Sequence, residues 1–401
     1  MNKKLVKNLK RISVILILIL VSEVLFIGYH LLYNKEKNVY FDGINAVVSS
    51  DDYYATVGSN NDNDNHFEKA KISFYNMKKE KTFEKIYNVG FNSTFFGVIL
   101  DGSDVIAVGS YEKTQDDRDN SIRKALIVKY DKSGNIIFEK DFEVLDNSKF
   151  TSITKYGDYY YVTGQSVYKS TSIGNKEGGA ILCKYDKDGN LIWSKTYGNS
   201  KSAVYNDLLI YNDNIYVVGD DENYLGILCK YDLDGNFMAY NDYKSTDNTG
   251  FSGIVNIGDK IYVSGANMQE NDLTDAMIVM YDTNCNYLKQ VTYDAKGTER
   301  FNKLVLDDND NIVAIGTLYT ARKNNHNTVD EYDYDGIIAK YDSNLKKLDD
   351  VRYGDERDDF FTDVIFIHNK YIIVGYSSYE DGSYMSKFIS YSKALKVLEV
   401  E

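Results

Sequence analysis

From about Asp42 onwards, apolar residues come in short consecutive runs, such as AILC at 180–183 and IYVV at 215–218, divided by polar stretches rich in Asn and Asp. Consecutive apolar positions in runs this short predict β-strands covered on both faces. The runs repeat. A strand ending in glycine recurs as YYATVG, VIAVG, YYYVTG, NIYVVG, KIYVSG, NIVAIG and KYIIVG, which puts Gly58, Gly109, Gly164, Gly219, Gly265, Gly316 and Gly375 in register. A second strand ends in tyrosine, usually followed by Asp, at Tyr75, Tyr130, Tyr185, Tyr231, Tyr281, Tyr341 and Tyr391.

Five residues before each tyrosine stands a small residue: Ala70, Ala125, Ala180, Gly226, Ala276, Gly336 and Ser386. Twelve residues after the first six tyrosines comes an aromatic: Tyr87, Phe142, Tyr197, Tyr243, Tyr293 and Tyr353. From that aromatic to the next glycine the interval is 22 residues in five cases and 23 in one, whereas glycine to tyrosine varies from 12 to 25. One connection per unit is therefore free to change length. Each unit is expected to hold four short strands, two on either side of that variable loop, and cannot cover both faces of so small a sheet by itself. Stacked neighbours can, and a four-stranded unit of this period predicts a propeller. Turns such as Asp186-Lys187-Asp188-Gly189-Asn190 and Asp232-Leu233-Asp234-Gly235-Asn236 supply the glycine that a bulged hairpin needs.

The stretch GAILCKYDKDGNLIWSKTYG, residues 179–198, closely resembles the bacterial seven-bladed β-propeller repeat of secreted and surface proteins. The resemblance extends over all seven units, 42–401. It is strongest at Lys184-Tyr185-Asp186, Lys230-Tyr231-Asp232 and Lys340-Tyr341-Asp342, and weakest at Phe74-Tyr75-Asn76 and Ser390-Tyr391-Ser392. It implies an all-β fold, a seven-bladed β-propeller with four-stranded blades, in an extracellular setting. It implies no single activity, because propellers host binding, scaffolding and catalysis alike. The last outer strand is expected to end the chain, so that the ring closes without an exchanged strand.

Ahead of the repeats, Ile12 to Tyr33 reads ISVILILILVSEVLFIGYHLLY, interrupted only by Glu23 and His30. That is about the ~20 residues a transmembrane helix needs. Lys3, Lys4, Lys7, Lys10 and Arg11 precede it, against Lys35 and Lys37 after it, which favours an inside N-terminus. The expected organisation is a short cytoplasmic tail (1–11), a single transmembrane signal anchor (12–33), a linker (34–41) and a propeller (42–401) on the extracytoplasmic side of the cell membrane. A cleaved signal peptide is the rival, but no A-x-A-like site follows the apolar run. Glu23 reads as a tolerated polar residue or as a contact to a membrane partner.

Charge narrows the partners. Residues 1–33 hold five of the 46 basic groups and one of the 60 acidic, so without them the net charge moves from -14 to -18. A domain that acidic repels phosphate backbones and speaks against nucleic acid. The variable loops together carry a net charge of about -11, giving one face an acidic field.

Catalytic motifs are thin. His66, His326 and His368 stand at unmatched loop or turn positions, and there is no Ser-His-Asp order, zinc-ligand spacing or phosphate-cradling glycine loop. Cys183 and Cys229 occupy the same place in consecutive units and read as buried thiols; Cys285, in a turn, reads as an exposed thiol open to reaction.

The candidate binding residues are Asp62, Asp64, Asp220, Asp221 and Asp333 in the variable loops, against the plain alternative that Asn and Asp are what turns use. Asp207 and Asp363 join them, because they begin first strands, where other units have Ala46, Gly97, Ser152 and Gly253, and first strands line the central channel of a propeller. No cofactor is identified and no residue is assigned to a metal. The acidic loops suit calcium but lack the D-x-D-x-D-G ligand spacing. The expected function is a membrane-anchored binding or scaffold module whose acidic loop face meets a protein, a polysaccharide or a cationic ligand. The alternatives are an extracellular hydrolase or lyase with carboxylates around the channel, and a subunit of an envelope complex.

Overall fold

The computed structural model describes residues 40–61, 67–113, 122–142, 147–167, 178–198, 203–221, 223–243, 249–269, 273–323, 329–354, 357–379 and 383–400, with backbone alone at 321–323 and 329–332. The expected tail and membrane segment lie outside these residues. Among the described residues no helix is long and apolar enough to cross a membrane.

The 28 described strands follow one another in antiparallel sets of four. The first set is β1 (Asp42–Ser49), β2 (Tyr53–Asn61), β3 (Glu68–Asn76) and β4 (Lys81–Tyr87). The second is β5 (Ser93–Asp101), β6 (Asp104–Glu112), β7 (Arg123–Tyr130) and β8 (Ile136–Phe142). The third is β9 (Asn147–Tyr156), β10 (Tyr159–Val167), β11 (Gly178–Asp186) and β12 (Leu191–Tyr197). The fourth is β13 (Val204–Tyr211), β14 (Asn214–Asp220), β15 (Gly226–Asp232) and β16 (Phe237–Asp242). The fifth is β17 (Thr249–Ile257), β18 (Lys260–Met268), β19 (Thr274–Asp282) and β20 (Tyr287–Tyr293). The sixth is β21 (Thr298–Leu306), β22 (Ile312–Lys323), β23 (Val329–Tyr341) and β24 (Lys347–Tyr353). The last is β25 (Asp359–Ile367), β26 (Lys370–Ser378), β27 (Tyr384–Ser392) and β28 (Val397–Val400).

Five sets are separate sheets, and a single parallel bridge between Arg123 and Asn147 joins the second and third. The first strands β1, β5, β9, β13, β17, β21 and β25 touch their neighbours in a closed cycle, with β25 against β1. Every sheet is built from consecutive strands, including the last, where β28 pairs with β27. Among the described residues, no strand is exchanged between the first and last sets. Tyr40 and Phe41 add a short clasp: Phe41 bridges Tyr384 in parallel, and the Tyr384 amide donates to the Tyr40 carbonyl at 2.8 Å.

The recurrent glycine has a steric cause. Each first strand carries a β-bulge immediately after a buried residue: Ile44, Phe95, Phe150, Tyr205, Phe251, Phe301 or Phe361. That residue pairs with the landmark glycine on the second strand. The bulge swings the preceding carbonyl inward, and a Cβ on any of the seven glycines would overlap that oxygen, as Gly219 shows with Val204 and Gly375 with Phe360.

The two aromatic landmarks meet at the same place. The outer-strand aromatic of one unit packs on the first-strand aromatic of the next, as in Tyr87–Phe95 (5.6 Å between centroids), Phe142–Phe150 (5.6 Å), Tyr243–Phe251 (5.8 Å) and Tyr293–Phe301 (5.5 Å). The landmark tyrosine then meets that ring edge-on, as in Phe95–Tyr130 at 84° and Phe150–Tyr185 at 85°. Ile44 replaces the ring in the first unit, and there Phe388 of the last unit sits against Tyr54 and Tyr75 instead, each at 5.2 Å.

The Asp that follows the tyrosine closes a turn. Asp186 Oδ1 accepts from the amides of Asp188 (2.9 Å) and Asn190 (2.8 Å), and Asp131, Asp232, Asp282 and Asp342 repeat the pattern. The left-handed position of that turn is Gly134, Gly189 or Gly235 in three units but Cys285, at φ 63°, in the fifth. The expectation of an exposed Cys285 is thereby overturned. It is 2% exposed, in a cluster with Tyr216 and Val218 of the preceding unit, and burial pushes its thiol up to about 12. Cys183 and Cys229 are buried free thiols, as expected.

Gly219→Ala is predicted to destabilise the fold by about 1–3 kcal/mol, because the methyl group forces the β13 bulge out of place. A lowered urea midpoint with an unchanged m-value checks it.

Candidate functional site in the axial cavity

The bulged residue is the hinge between first strands. Asn45 Nδ2 donates to the Phe95 carbonyl (2.8 Å), Thr151 Oγ1 to Tyr205 (2.6 Å), Asn206 Nδ2 to Phe251 (2.7 Å), Asn302 Nδ2 to Phe361 (2.8 Å) and Thr362 Oγ1 to Ile44 (2.7 Å). Each accepting residue immediately precedes the bulge of the next first strand. Phe96 and Ser252 stand at the two positions that break the pattern, and Ser252 Oγ accepts from Arg300 Nε and Nη2 instead.

Inside this girdle lies a cavity of about 340 Å³ lined by all seven first strands. In six of the seven strands the residue after the bulge lines its wall: Ala46, Gly97, Ser152, Asp207, Lys303 and Asp363. The structure brings Asp207 and Asp363 together through Lys303. Asp207 Oδ2 accepts from Lys303 Nζ at 2.8 Å and from the Ile254 amide at 3.3 Å, and its Oδ1 accepts from Ser152 Oγ at 2.8 Å. Asp363 Oδ2 accepts from the Val47 amide at 2.9 Å, and its Oδ1 from the Val364 amide at 2.9 Å. Both carboxylates therefore stitch their own first strand to that of the following unit.

Electrostatics follow from the crowding. Burial pushes Asp363 up to about 6, with Lys303 and two amides working against that and Asp207 adding to it. Burial opposes the charge on Lys303 as well, but Asp207 and Asp363 more than offset it and hold the ammonium above the usual lysine range. Lys303, missing from the candidates read off the sequence, stands in the same register as both aspartates, and that register was the signal available to find it.

The loop candidates do not converge. Asp220 ends β14, where burial pushes it up to about 6 against the nearby Arg300 charge, and its Oδ1 accepts from the Phe251 amide at 3.1 Å. Asp221 is a turn former: its Oδ1 accepts from the amides of Asn223 (2.7 Å) and Leu225 (2.9 Å). Asp333 is buried within β23. Asp62 and Asp64 lie outside the described residues, as do His66 and His326. His368 sits in the β25–β26 turn at φ 49°.

Chemically, the cavity offers two carboxylates already held by an ammonium and by backbone amides, which suits an inter-strand brace and a polar, water-accessible lining. Lys303→Met leaves Asp207 and Asp363 facing each other. The expected cost at pH 7 is about 1–3 kcal/mol, less than a fully buried pair because the lysine is partly exposed. Asp363 has a folded pKa above its unfolded value, so its ionisation penalty on the fold is complete above about pH 6, shrinks as pH falls below that, and is gone near the unfolded carboxyl value of ~4. The melting temperature of the variant should therefore approach that of the wild type as pH falls from 7 to 5, read by thermal scans at both values.

No family model matches this chain, and no curated protein matches it in sequence. Solved structures do match. The WD40 β-propeller domain of Doa1 aligns over 83% of this chain and 89% of its own, at 12% identity and TM-score 0.50. The β-propeller domain of the trilobed protease from Pyrococcus furiosus, which has an open velcro topology, aligns over 90% of this chain and 98% of its own, at 11% identity and TM-score 0.50. The acylaminoacyl peptidase of Pyrococcus horikoshii reaches TM-score 0.52 at 10% identity over 90% of this chain, which spans 52% of that enzyme. Identities this low speak to fold alone, so the expected bacterial repeat family is supported as a fold and not as a family. Four-stranded antiparallel units around an axial cavity, together with these β-propeller matches, make the described part of this chain a β-propeller.

Proposed function

We propose that this chain is a seven-bladed propeller, tethered by residues 12–33 to the outer side of a bacterial cell membrane, that docks a basic protein segment on its loop-bearing face. The blade count is supported by the seven glycine–bulge pairs and by the closed cycle of first strands. The tether is supported by the apolar run and its flanking charges.

The observation that carries the docking reading is a row of aromatic rings at the strand ends beside the variable loops. Tyr319 meets Tyr334 at 4.7 Å, Tyr334 meets Phe360 at 4.8 Å, Phe360 meets Tyr376 at 4.9 Å, and Phe41 meets Tyr376 at 5.4 Å. The row crosses from the sixth unit to the last and on to the clasp, with Tyr334 37% exposed. Asp358 and Glu68 lie close enough to reinforce the raised pKa values that burial imposes on Tyr384 and Tyr376. Ring faces flanked by carboxylates suit Lys and Arg side chains, which gain from both the quadrupole and the charge. Two nearby cations are engaged, Arg352 with Asp335 and Arg357 over the Tyr379 ring at 5.4 Å. Names such as peptidase belong to the similar structures and supply no residue here.

The test is fluorescence anisotropy of a labelled oligolysine with the full-length chain. Binding should fall with added salt, and Tyr334→Ala should weaken it by about 2–5-fold, the worth of an exposed cation–π contact. Oligoglutamate bound as tightly as oligolysine would sink the reading.

A further inference from the structure

Beyond the axial cavity and the aromatic row, one cluster of carboxylates has no role in either. The β19–β20 pairing sets Ala276 opposite Tyr293, so that Asp275, near the start of β19, and Asp294, just past the end of β20, are the next residues along the two strands. The chain then turns through 295–297 and enters β21, the first strand of the next blade, where Glu299 faces back. One carboxylate oxygen from each of Asp275, Asp294 and Glu299 lies within 4.8 Å of the others.

Glu299 distinguishes this group from the acidic turns elsewhere. It is fully buried, at 0% exposure, on a side of the blade where charge is costly. Its Oε1 is satisfied by the amides of Ala295 (3.0 Å) and Gly297 (2.8 Å). Its Oε2 is buried with no hydrogen-bond donor. A buried carboxylate oxygen left bare beside two further carboxylates lacks a cation. Lys296 meets part of that need: its Nζ is 2.5 Å from Asp294 Oδ2, but its side chain is 85% exposed and it is bound to the outermost member of the trio.

We infer that Asp275, Asp294 and Glu299 form a calcium site that ties the outer edge of the fifth blade to the first strand of the sixth. The ligands are all hard oxygens, which select calcium, magnesium or manganese over zinc or copper. Size favours calcium. Its shell of six to eight oxygens at ~2.3–2.6 Å tolerates an irregular set of carboxylates completed by water, whereas magnesium, at ~2.0–2.1 Å, demands near-ideal octahedral geometry. Lys296 acts as the gate to the site, because its ammonium must leave Asp294 when the ion arrives. Three carboxylates with the remaining positions left to water predict an affinity of the order of 0.1–1 mM, the range of extracellular calcium modules. The site is independent of the proposed docking on the aromatic row.

The experiment is calcium titration of the chelator-treated full-length chain by isothermal calorimetry, with the melting temperature followed in parallel. Wild type should bind one calcium in addition to any weak background and melt higher with it. Asp294→Asn, on an exposed residue that the fold does not depend on, should weaken binding by at least ~10-fold. Glu299→Gln should abolish the thermal shift while relieving the buried charge, so that its metal-free form melts no lower than wild type. Lys296→Met should bind more tightly than wild type, having lost its competitor. Absence of binding in both wild type and Lys296→Met at 10 mM calcium overturns the site, as does Asp294→Asn binding like wild type.

Discussion

The interaction on which the rest of this propeller depends is the close approach of two backbones at the bulge of each first strand. A carbonyl displaced inward by the bulge occupies the space where the facing residue would carry its Cβ, so that residue is glycine in all seven units. The displacement does two things at once. It turns a buried aromatic into the seam between blades, where it is held by the outer ring of the preceding unit and the landmark tyrosine of its own. It also turns the bulged residue toward the next first strand, where an amide or hydroxyl donates to a carbonyl. Apolar burial and a directional hydrogen bond thus act at the same residue pair, one setting the spacing of neighbouring blades and the other their register.

The same geometry explains why the axial cavity is polar. Positions after the bulge face the axis, and side chains there have access to the amides of the following strand. Asp207 and Asp363 use that access to replace the missing solvation of a carboxylate with backbone N–H groups, and Lys303 balances the charge they bring. Burial still leaves a residual cost, visible in the raised pKa of Asp363. At Glu299 two amides brace one carboxylate oxygen and leave the other bare and buried, the place where an ion is proposed.

Closure of the ring is handled differently from the internal seams. Ile44 stands where the other units have an aromatic, and Phe388 supplies the missing ring from the neighbouring blade. The Tyr40–Phe41 clasp against Tyr384 adds main-chain hydrogen bonding across the same boundary. The last-to-first contact thus combines the first-strand hydrogen bonds of Thr362 and Asp363 with a few rings and the clasp, and the aromatic row proposed as a docking surface grows directly out of it.

Strand number, strand order and the place of the variable loop were legible in the sequence because each rests on a constraint local to one unit: a glycine that tolerates no Cβ, a tyrosine and an aromatic at fixed offsets, an Asp that caps a turn. Two of the candidate residues, Asp207 and Asp363, were found in the same way, by comparing register between units. Their meaning was not, since it depends on Lys303, which comes from a third blade between them and reaches Asp207 only when the ring closes. Asp221, which the sequence left between a ligand and a turn former, caps a turn, and Cys285 looked exposed and is buried, because a side chain's direction in a turn is set by the backbone conformation and not by the residue type. The Asp275–Asp294–Glu299 group joins two strands of one blade to the first strand of the next, and no spacing along the chain reveals it. Repetition along the sequence determined the fold; which charges met, and which were left bare, was decided only when blades from distant parts of the chain were brought side by side.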